Sequence, residues 1–225
     1  MGKVMNKFPK TFQGWVTRHI SDFNGCHRYL SRWDENTENY CPSCKCPDED
    51  TAHITRCTDS VRSELYQGDV ELIRIWLAEH HTPYHIVEAY SKYLGGRGQR
   101  SMASIVSNQP SLHPLAEKQD IIGFDNLLVG RLPKILLDLL QTPLRNANRR
   151  GLTPELWAKQ FSEHLLLFTH RQWTYRNHVK HFKTPDGKSP SEHATIDDHV
   201  QSLLTLSPEQ LPSHHRHLLT KTNFT

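Results

Sequence analysis

Apolar residues recur at helical spacing along most of the chain, and this pattern predicts a mainly α-helical protein. Residues 10 to 35 predict one or two short helices. Val61 to Leu77 predicts a longer one, with Leu65, Val70, Leu72, Ile73, Trp76 and Leu77 as its apolar positions. His80-His81-Thr82-Pro83 interrupts the period, and a second helix through Ile86, Val87, Tyr90 and Leu94 stops at Gly95-Gly96. Residues 96 to 117, polar and rich in Gly, Ser and Gln, are expected to be a flexible linker in which Met102, Ile105 and Val106 form at most a helical turn. Lys118 to Leu128 and Leu132 to Leu140 predict a helix pair broken near Gly130, Arg131 and Pro133. Thr153-Pro154-Glu155 is a start signal for a long amphipathic helix, whose Trp157, Phe161, Leu165 and Phe168 form one stripe. It must end by Pro185, and Ile196 to Leu206 predicts a last helix before a polar tail.

The expected architecture is a helical, bundle-like body with a small zinc knuckle near the N-terminus. The expected segments are 1 to 60 for basic and aromatic helices plus the knuckle, 61 to 95 for a helical pair, and 96 to 117 for the linker. A helical region, 118 to 185, and a C-terminal helix with its tail, 186 to 225, complete the division.

The knuckle is the stretch that helical periodicity does not explain. Cys41-Pro42-Ser43-Cys44 has the spacing at which one tight turn presents two thiolates, and Pro42 pre-sets the backbone for that turn. His53 and Cys57 stand four apart, so a short helix over 50 to 57 places both on one face. Cys41, Cys44, His53 and Cys57 therefore read as a closed Cys₃His site for one structural Zn²⁺, with no position open for catalysis. Cys46 competes with His53 for the fourth place, while Cys26 reads as a small buried residue. A disulfide framework fits poorly, because the chain has five cysteines, an odd number, and shows no signal peptide before them.

Composition adds limits. The 225 residues are 36% hydrophobic with a net charge of +3, and no apolar run approaches the ~20 residues that span a bilayer. The position that a myristoylation signal requires to be Ser or Thr is Asn6. We therefore expect an intracellular protein, nuclear or cytoplasmic, with no membrane partner. Net charge alone does not announce a nucleic-acid binder, yet Lys3, Lys7, Lys10, Arg18, Arg28 and Arg32 precede the knuckle interleaved with Phe8, Phe12, Trp15, Tyr29 and Trp33. Such a mixture suits phosphate neutralisation and base stacking, with Lys10, Trp15, Arg18, Arg28 and Arg32 as candidate contacts to RNA or DNA. The competing reading puts Trp15, Ile20, Phe23, Tyr29, Leu30 and Trp33 in a small core beneath the knuckle. The acidic run Asp48-Glu49-Asp50 argues against the knuckle's tip pressing on phosphate.

These residues also carry a resemblance. Trp15-Val16-Thr17-Arg18-His19, Cys26-His27-Arg28-Tyr29-Leu30, Cys41-Pro42-x-Cys44 and Asp50-Thr51-Ala52-His53-Ile54-x-x-Cys57 resemble the zinc-binding region that follows the polymerase domain in non-LTR retrotransposon reverse transcriptases. The interval from His53 to Cys57 is slightly shorter than in some members. Gln119-x-x-Ile122-Gly123-Phe124-x-x-Leu127-Leu128-x-Gly130-Arg131 and Trp173-x-x-Arg176-Asn177-x-x-x-His181 look like the tail of such polyproteins. The resemblance implies a zinc module associated with template RNA or target DNA.

It does not imply polymerase activity. A reverse transcriptase needs a carboxylate set for two metal ions, and the paired Asp197-Asp198 follow a helix cap at Thr195, where acidic residues suit the helix dipole. No enzyme is expected, and a nuclease, which needs an open metal site or an acid cluster, ranks last. The alternatives are a structural or protein-interaction module that contacts a partner through its helical second half, and a non-functional remnant of a larger element.

Other histidines have plainer explanations. Pro83 lies between His81 and His85, His178 and His181 fall at a helix C-terminus, and His214, His215 and His217 with Arg216 form a tail patch.

Overall fold

The computed structural model describes residues 8–35, 39–147, 152–181 and 196–202. The chain falls into two compact units, Met1–Arg176 and Asn177–Thr225. Among the described residues of the first, the backbone is helical and contains no strand; the sole bridge is the isolated pair Tyr40 and Pro47. The elements run α1 (Lys10–Ile20), α2 (His27–Leu30), α3 (His53–Arg56), α4 (Ser60–Glu79), α5 (Tyr84–Gly95) and α6 (Met102–Ile105). A 3₁₀ turn (Pro110–Leu112), α7 (His113–Ile122), α8 (Phe124–Leu128), α9 (Lys134–Asn146) and α10 (Pro154–His181) follow.

The body is built on α4, α5 and α10. Asp59 caps α4 by accepting from the Arg62 N–H at 3.0 Å, and Thr153 Oγ1 caps α10 by accepting from Leu156 N–H at 3.2 Å. Tyr66, Ile73 and Leu77 of α4 meet Ile86, Tyr90 and Leu94 of α5. The predicted stripe of α10 lies in the same core, Trp157, Phe161, Leu165 and Phe168 each having no exposed surface. Trp157 satisfies its indole by donating to Thr82 Oγ1 at 3.0 Å, within the interruption between α4 and α5.

Residues 96 to 117 are not a linker. Met102, Val106, Leu112 and Leu115 are buried in the common core. Asp120 holds the first turn of α6 by accepting from the N–H groups of Met102 and Ala103 at 2.7 and 2.9 Å. The helix expected from Lys118 begins at His113 and breaks at Gly123, whose φ of 82° only glycine adopts without strain. α9 continues past the expected Leu140 through Pro143 to Asn146. One apolar cluster reaching from Tyr66 to Phe168 joins the expected 61–95, 96–117 and 118–185 segments.

The phase of α4 also differs from expectation. Leu65 and Leu72 are 39% and 57% exposed, whereas the polar Arg62 and Asp69 are buried. Asp69 is satisfied across the core by Arg171 Nε at 2.7 Å and Gln172 Nε2 at 3.0 Å. Apolar letters alone therefore misplace this helix's buried face, because two of its inward positions are taken by charges that have distant partners.

α1 packs on α10 through Phe12, Trp15, Val16 and Leu166. This small cluster includes Trp15 from the expected N-terminal core, but Phe23 and Trp33 stand 71% and 87% exposed and Ile20 is at the surface.

In the second unit, residues 196–202 are helical, with Asp197 and Asp198 in the first turn, and Ser202 Oγ donates to Asp198 O at 2.8 Å. Lys3, Lys7, Thr195, Pro185, the end of the last predicted helix and the histidines at 214, 215 and 217 lie outside the described residues. Among the described residues, no helix is long and apolar enough to cross a membrane.

Candidate metal centre

The first two ligands come from a turn. Lys45 N–H donates to Cys41 O at 3.0 Å and Cys41 N–H donates to Cys46 O at 2.9 Å, which folds the CPSC segment back on itself. Lys45 and Asp48 take positive φ of 61° and 57° to complete the reversal, and Asp48 N–H closes the loop on Asn39 O at 2.9 Å. The other two ligands are the first residue of α3 and the residue that caps its end. Asp50 Oδ1 accepts from His53 N–H at 2.8 Å and so starts a single helical turn that puts His53 and Cys57 on one side.

The ligand atoms of Cys41, Cys44, His53 and Cys57 lie within 4.8 Å of one another. Two sulfurs bound tetrahedrally at about 2.3 Å to one ion would stand about 3.8 Å apart, and a sulfur and an imidazole nitrogen about 3.6 Å. Cys41 Sγ and Cys57 Sγ are 3.7 Å apart, and Cys44 Sγ and His53 Nε2 are 3.3 Å apart. The geometry fits one metal ion held by four protein ligands. No disulfide links these cysteines.

The same geometry decides between His53 and Cys46. The group contains His53, while the Cys46 side chain is exposed and outside it. Cys26 is fully buried, its thiol 3.9 Å from Thr51 Oγ1, and burial pushes its pKa up to about 12; it is a neutral packing group.

The electrostatics suit an anionic centre. The hydrogen bond between Cys41 and Cys57 holds the Cys41 thiol well below its usual range and raises that of Cys57, because the close pair keeps one proton between them. Hydrogen bonding to Cys41 also raises the His53 imidazole. With a divalent ion bound, three thiolates and a neutral imidazole would leave one negative charge. The Arg62 guanidinium, 1% exposed, meets that charge by pointing Nη1 at Cys41 Sγ from 3.7 Å while Nη2 donates to Ile54 O. Arg97 donates to Cys57 O and lies 4.3 Å over the Tyr66 ring, which ties the last ligand to the helical body.

Glu49 joins the loop to α10. Its carboxylate is fully buried and accepts from both Nε and Nη2 of Arg176, the former at 2.9 Å, and from His27 N–H at 3.1 Å. Arg176 lies 5.2 Å from the Trp173 ring, so the spacing Trp173-x-x-Arg176 forms one packed unit on α10. Neither Arg62, Arg97 nor the Glu49 pairing is legible from ligand spacing.

The expected nucleic-acid residues separate into two groups. Lys10, Arg18, Arg28 and Arg32 are exposed. Trp15 is 2% exposed and stacked on His19 with ring centroids 4.8 Å apart, so its faces are not available to bases. The exposed aromatic side chains of this stretch are Phe23 and Trp33; Tyr29 is half-buried, stacked on Phe23 at 6.2 Å and 13° with Arg32 5.4 Å over its ring, and so supports Phe23 rather than offering a free face. The acidic run presents less charge than its letters suggest, because Glu49 is spent on Arg176 and Asp50 pairs with Arg28 at 3.7 Å.

A cavity of about 270 Å³ lies between the end of α1, α3 and α8, with His19, Asp22, Thr51, Thr55 and Asp125 in its wall. His81 and His85 are exposed, with Pro83 between them as expected.

No family model, curated protein or solved structure matches this chain.

Proposed function

We propose that this chain is a zinc-organised nucleic-acid-binding module with no catalytic chemistry of its own. The observation that carries the reading is the exposed pair Phe23 and Trp33, with the exposed Arg28 and Arg32 between them, immediately before a loop whose four ligands fit one metal ion. Aromatic faces stack on unpaired bases of any identity, and the arginines neutralise phosphates. Tyr29 is held in place by donating to Asp22 Oδ2 at 2.8 Å, and Arg28 by Asp50. The platform is thereby fastened to both the turn after α1 and the metal loop.

Zinc is the ion that three thiolates and an imidazole select in a tetrahedral site, and four protein ligands leave it no reactive position. Its contribution is structural. Cys41, Cys44, His53 and Cys57 hold it, Arg62 balances its charge, and the loop so fixed orients Arg28 through Asp50. Free thiolates of this kind persist in a reducing compartment, so we place the protein inside the cell. The resemblance to the post-polymerase region of non-LTR retrotransposon reverse transcriptases points to the same class of partner, RNA or DNA.

Fluorescence anisotropy of the zinc-loaded protein with single-stranded RNA, single-stranded DNA and duplex DNA, at two salt concentrations, tests the reading. Binding to the single strands should weaken with salt. Trp33→Ala, at an exposed position, should weaken it by the ~1 to 3 kcal/mol of one lost stacking contact. Absence of binding by folded, zinc-loaded protein would overturn the proposal and leave a structural or protein-partner role.

A further inference from the structure

The cavity between the end of α1, α3 and α8 has polar groups in its wall that the fold itself does not use up. Its volume of about 270 Å³ is just below the ~300 to 1,000 Å³ of sites that take drug-sized ligands, which leaves room for one flat ring system. Ile20, Leu128 and Val129 give it apolar sides. His19 lines it from a position only 8% exposed. Its Nδ1 accepts from Asn24 Nδ2 at 2.9 Å, so the ring proton sits on Nε2. Among the described residues nothing accepts from that Nε2–H, and the cavity is what it has to face.

Two carboxylates belong to the same wall. Asp22 Oδ2 accepts from the Tyr29 hydroxyl at 2.8 Å and Asp125 Oδ1 pairs with Arg56 Nη1 at 2.6 Å, which leaves Asp22 Oδ1 and Asp125 Oδ2 outside those contacts. Both acids pull on the imidazole, yet burial outweighs them and keeps it neutral at pH 7, its pKa lowered to about 4. The wall therefore offers one uncharged donor and two anionic acceptors between apolar sides. Adenine, cytosine and guanine each carry an amino group and an acceptor on a flat ring, and guanine adds a ring N–H beside its amino group, so one edge can serve both carboxylates. Uracil and thymine carry a single N–H between two carbonyl oxygens, which the carboxylates repel. Asp22 directly precedes Phe23, 71% exposed, so a strand stacked on Phe23 carries a neighbouring nucleotide past the cavity.

We propose that this cavity receives one unstacked, amino-bearing base of a single strand, guanine above the others, with Asp22 and Asp125 accepting from its N–H groups and His19 Nε2 donating to its acceptor. A base in a single strand is the least costly to turn out of its stack. The inference deepens the nucleic-acid reading and rests on it for the strand that delivers the base. Phe23 and Trp33 then bind any base by stacking, while the cavity supplies the preference among bases.

The test compares, by anisotropy at fixed salt, the affinity of the zinc-loaded full chain for a short oligouridine and for the same strand with one central guanosine. The guanosine should tighten binding by on the order of tenfold. Asp22→Asn keeps an oxygen for the Tyr29 hydroxyl and puts an N–H donor where the free carboxylate oxygen was, so it should abolish the gain and move the preference toward uridine; Asp125→Asn should act in the same direction. Equal affinity for the two strands, or a guanosine gain that both substitutions leave intact, overturns the cavity proposal and leaves the stacking platform standing. If neither strand binds, the platform reading falls, and NMR titration of the His19 ring with guanosine and uridine monophosphates decides the cavity separately. A shift of that ring by the guanosine nucleotide alone upholds it, and any other result overturns both.

Discussion

Among the described residues between Cys26 and Cys57 the buried side chains are Cys26, Cys41, Glu49, Thr51, Ile54, Thr55 and Cys57, of which Ile54 alone is aliphatic. Between Tyr66 and Phe168 most buried side chains are leucines, tyrosines, phenylalanines and other apolar residues in one cluster. The two regions adjoin and are stabilised by different physics. The helical body removes enough apolar surface from water to offset its chain entropy, while the loop removes almost none and must be held by directed bonds. Its bonds are the four metal ligands, the buried Glu49–Arg176 pair and the guanidinium of Arg62.

Metal removal should separate the two regions most sharply. Structural zinc supplies ~10 to 16 kcal/mol in isolated modules, far more than one aliphatic side chain can replace. Hydrogen exchange with and without chelator should show residues 39 to 57 losing protection while α5, α7 and α10 keep theirs. Cys57→Ser should reproduce the pattern. If chelation instead melts the whole chain in one transition, Arg62, Arg97 and Glu49 couple the regions so tightly that the distinction fails.

Breaking the tie between the regions comes next in size. Glu49→Ala leaves the Arg176 guanidinium buried without its carboxylate, at a cost of ~3 to 5 kcal/mol. Chemical denaturation of the zinc-loaded protein measures this directly. The double replacement Glu49→Met with Arg176→Met should recover much of the loss, since a buried pair replaced by apolar groups is often nearly neutral. Failure of the double variant to recover would mean that Glu49 matters chiefly through His27 N–H, inside the loop.

The same contrast governs what was legible in the letters. The four ligands were readable because their geometry is local, a turn and one helical step. The stripe of α10 was readable because its inward positions are apolar from Trp157 to Phe168. Further along the same face come Thr169, Gln172 and Arg176, and these find their partners at Leu128, Asp69 and Glu49, the last two being 103 and 127 positions away. No periodicity reports such pairs. Residues 96 to 117 misled for a related reason: Met102, Val106 and Leu112 are sparse in a polar stretch, and their helix is capped from outside by Asp120. Trp33, with the same apolar character as Trp15, lies on the opposite side of the division between surface and core because only α1 has α10 to pack against.

Acid should sharpen the comparison in a third and smaller way, through a histidine at the boundary of the metal loop. His19 is buried under Trp15, and Asn24 Nδ2 donates to its Nδ1 at 2.9 Å, an arrangement that a proton on Nδ1 would destroy. Burial accordingly lowers its pKa to about 4, against the opposing pull of Asp22 and Asp125. The sign follows from proton counting. Between the unfolded value near 6.5 and the folded value, the unfolded chain binds the proton that the folded chain refuses, so stability is fully present above that window and falls as pH drops through it. From pH 7 to pH 5 the loss from this residue should be about 2 kcal/mol. Burial lowers His164 and His170 as well, and they act in the same direction from the helical body. His19→Gln separates the contributions: with zinc saturating, its denaturation midpoint should fall less than the wild type's between the two pH values. Parallel pH profiles would place the acid sensitivity in the thiolates and the body histidines, and would remove His19 from the account of how α1 meets the metal loop.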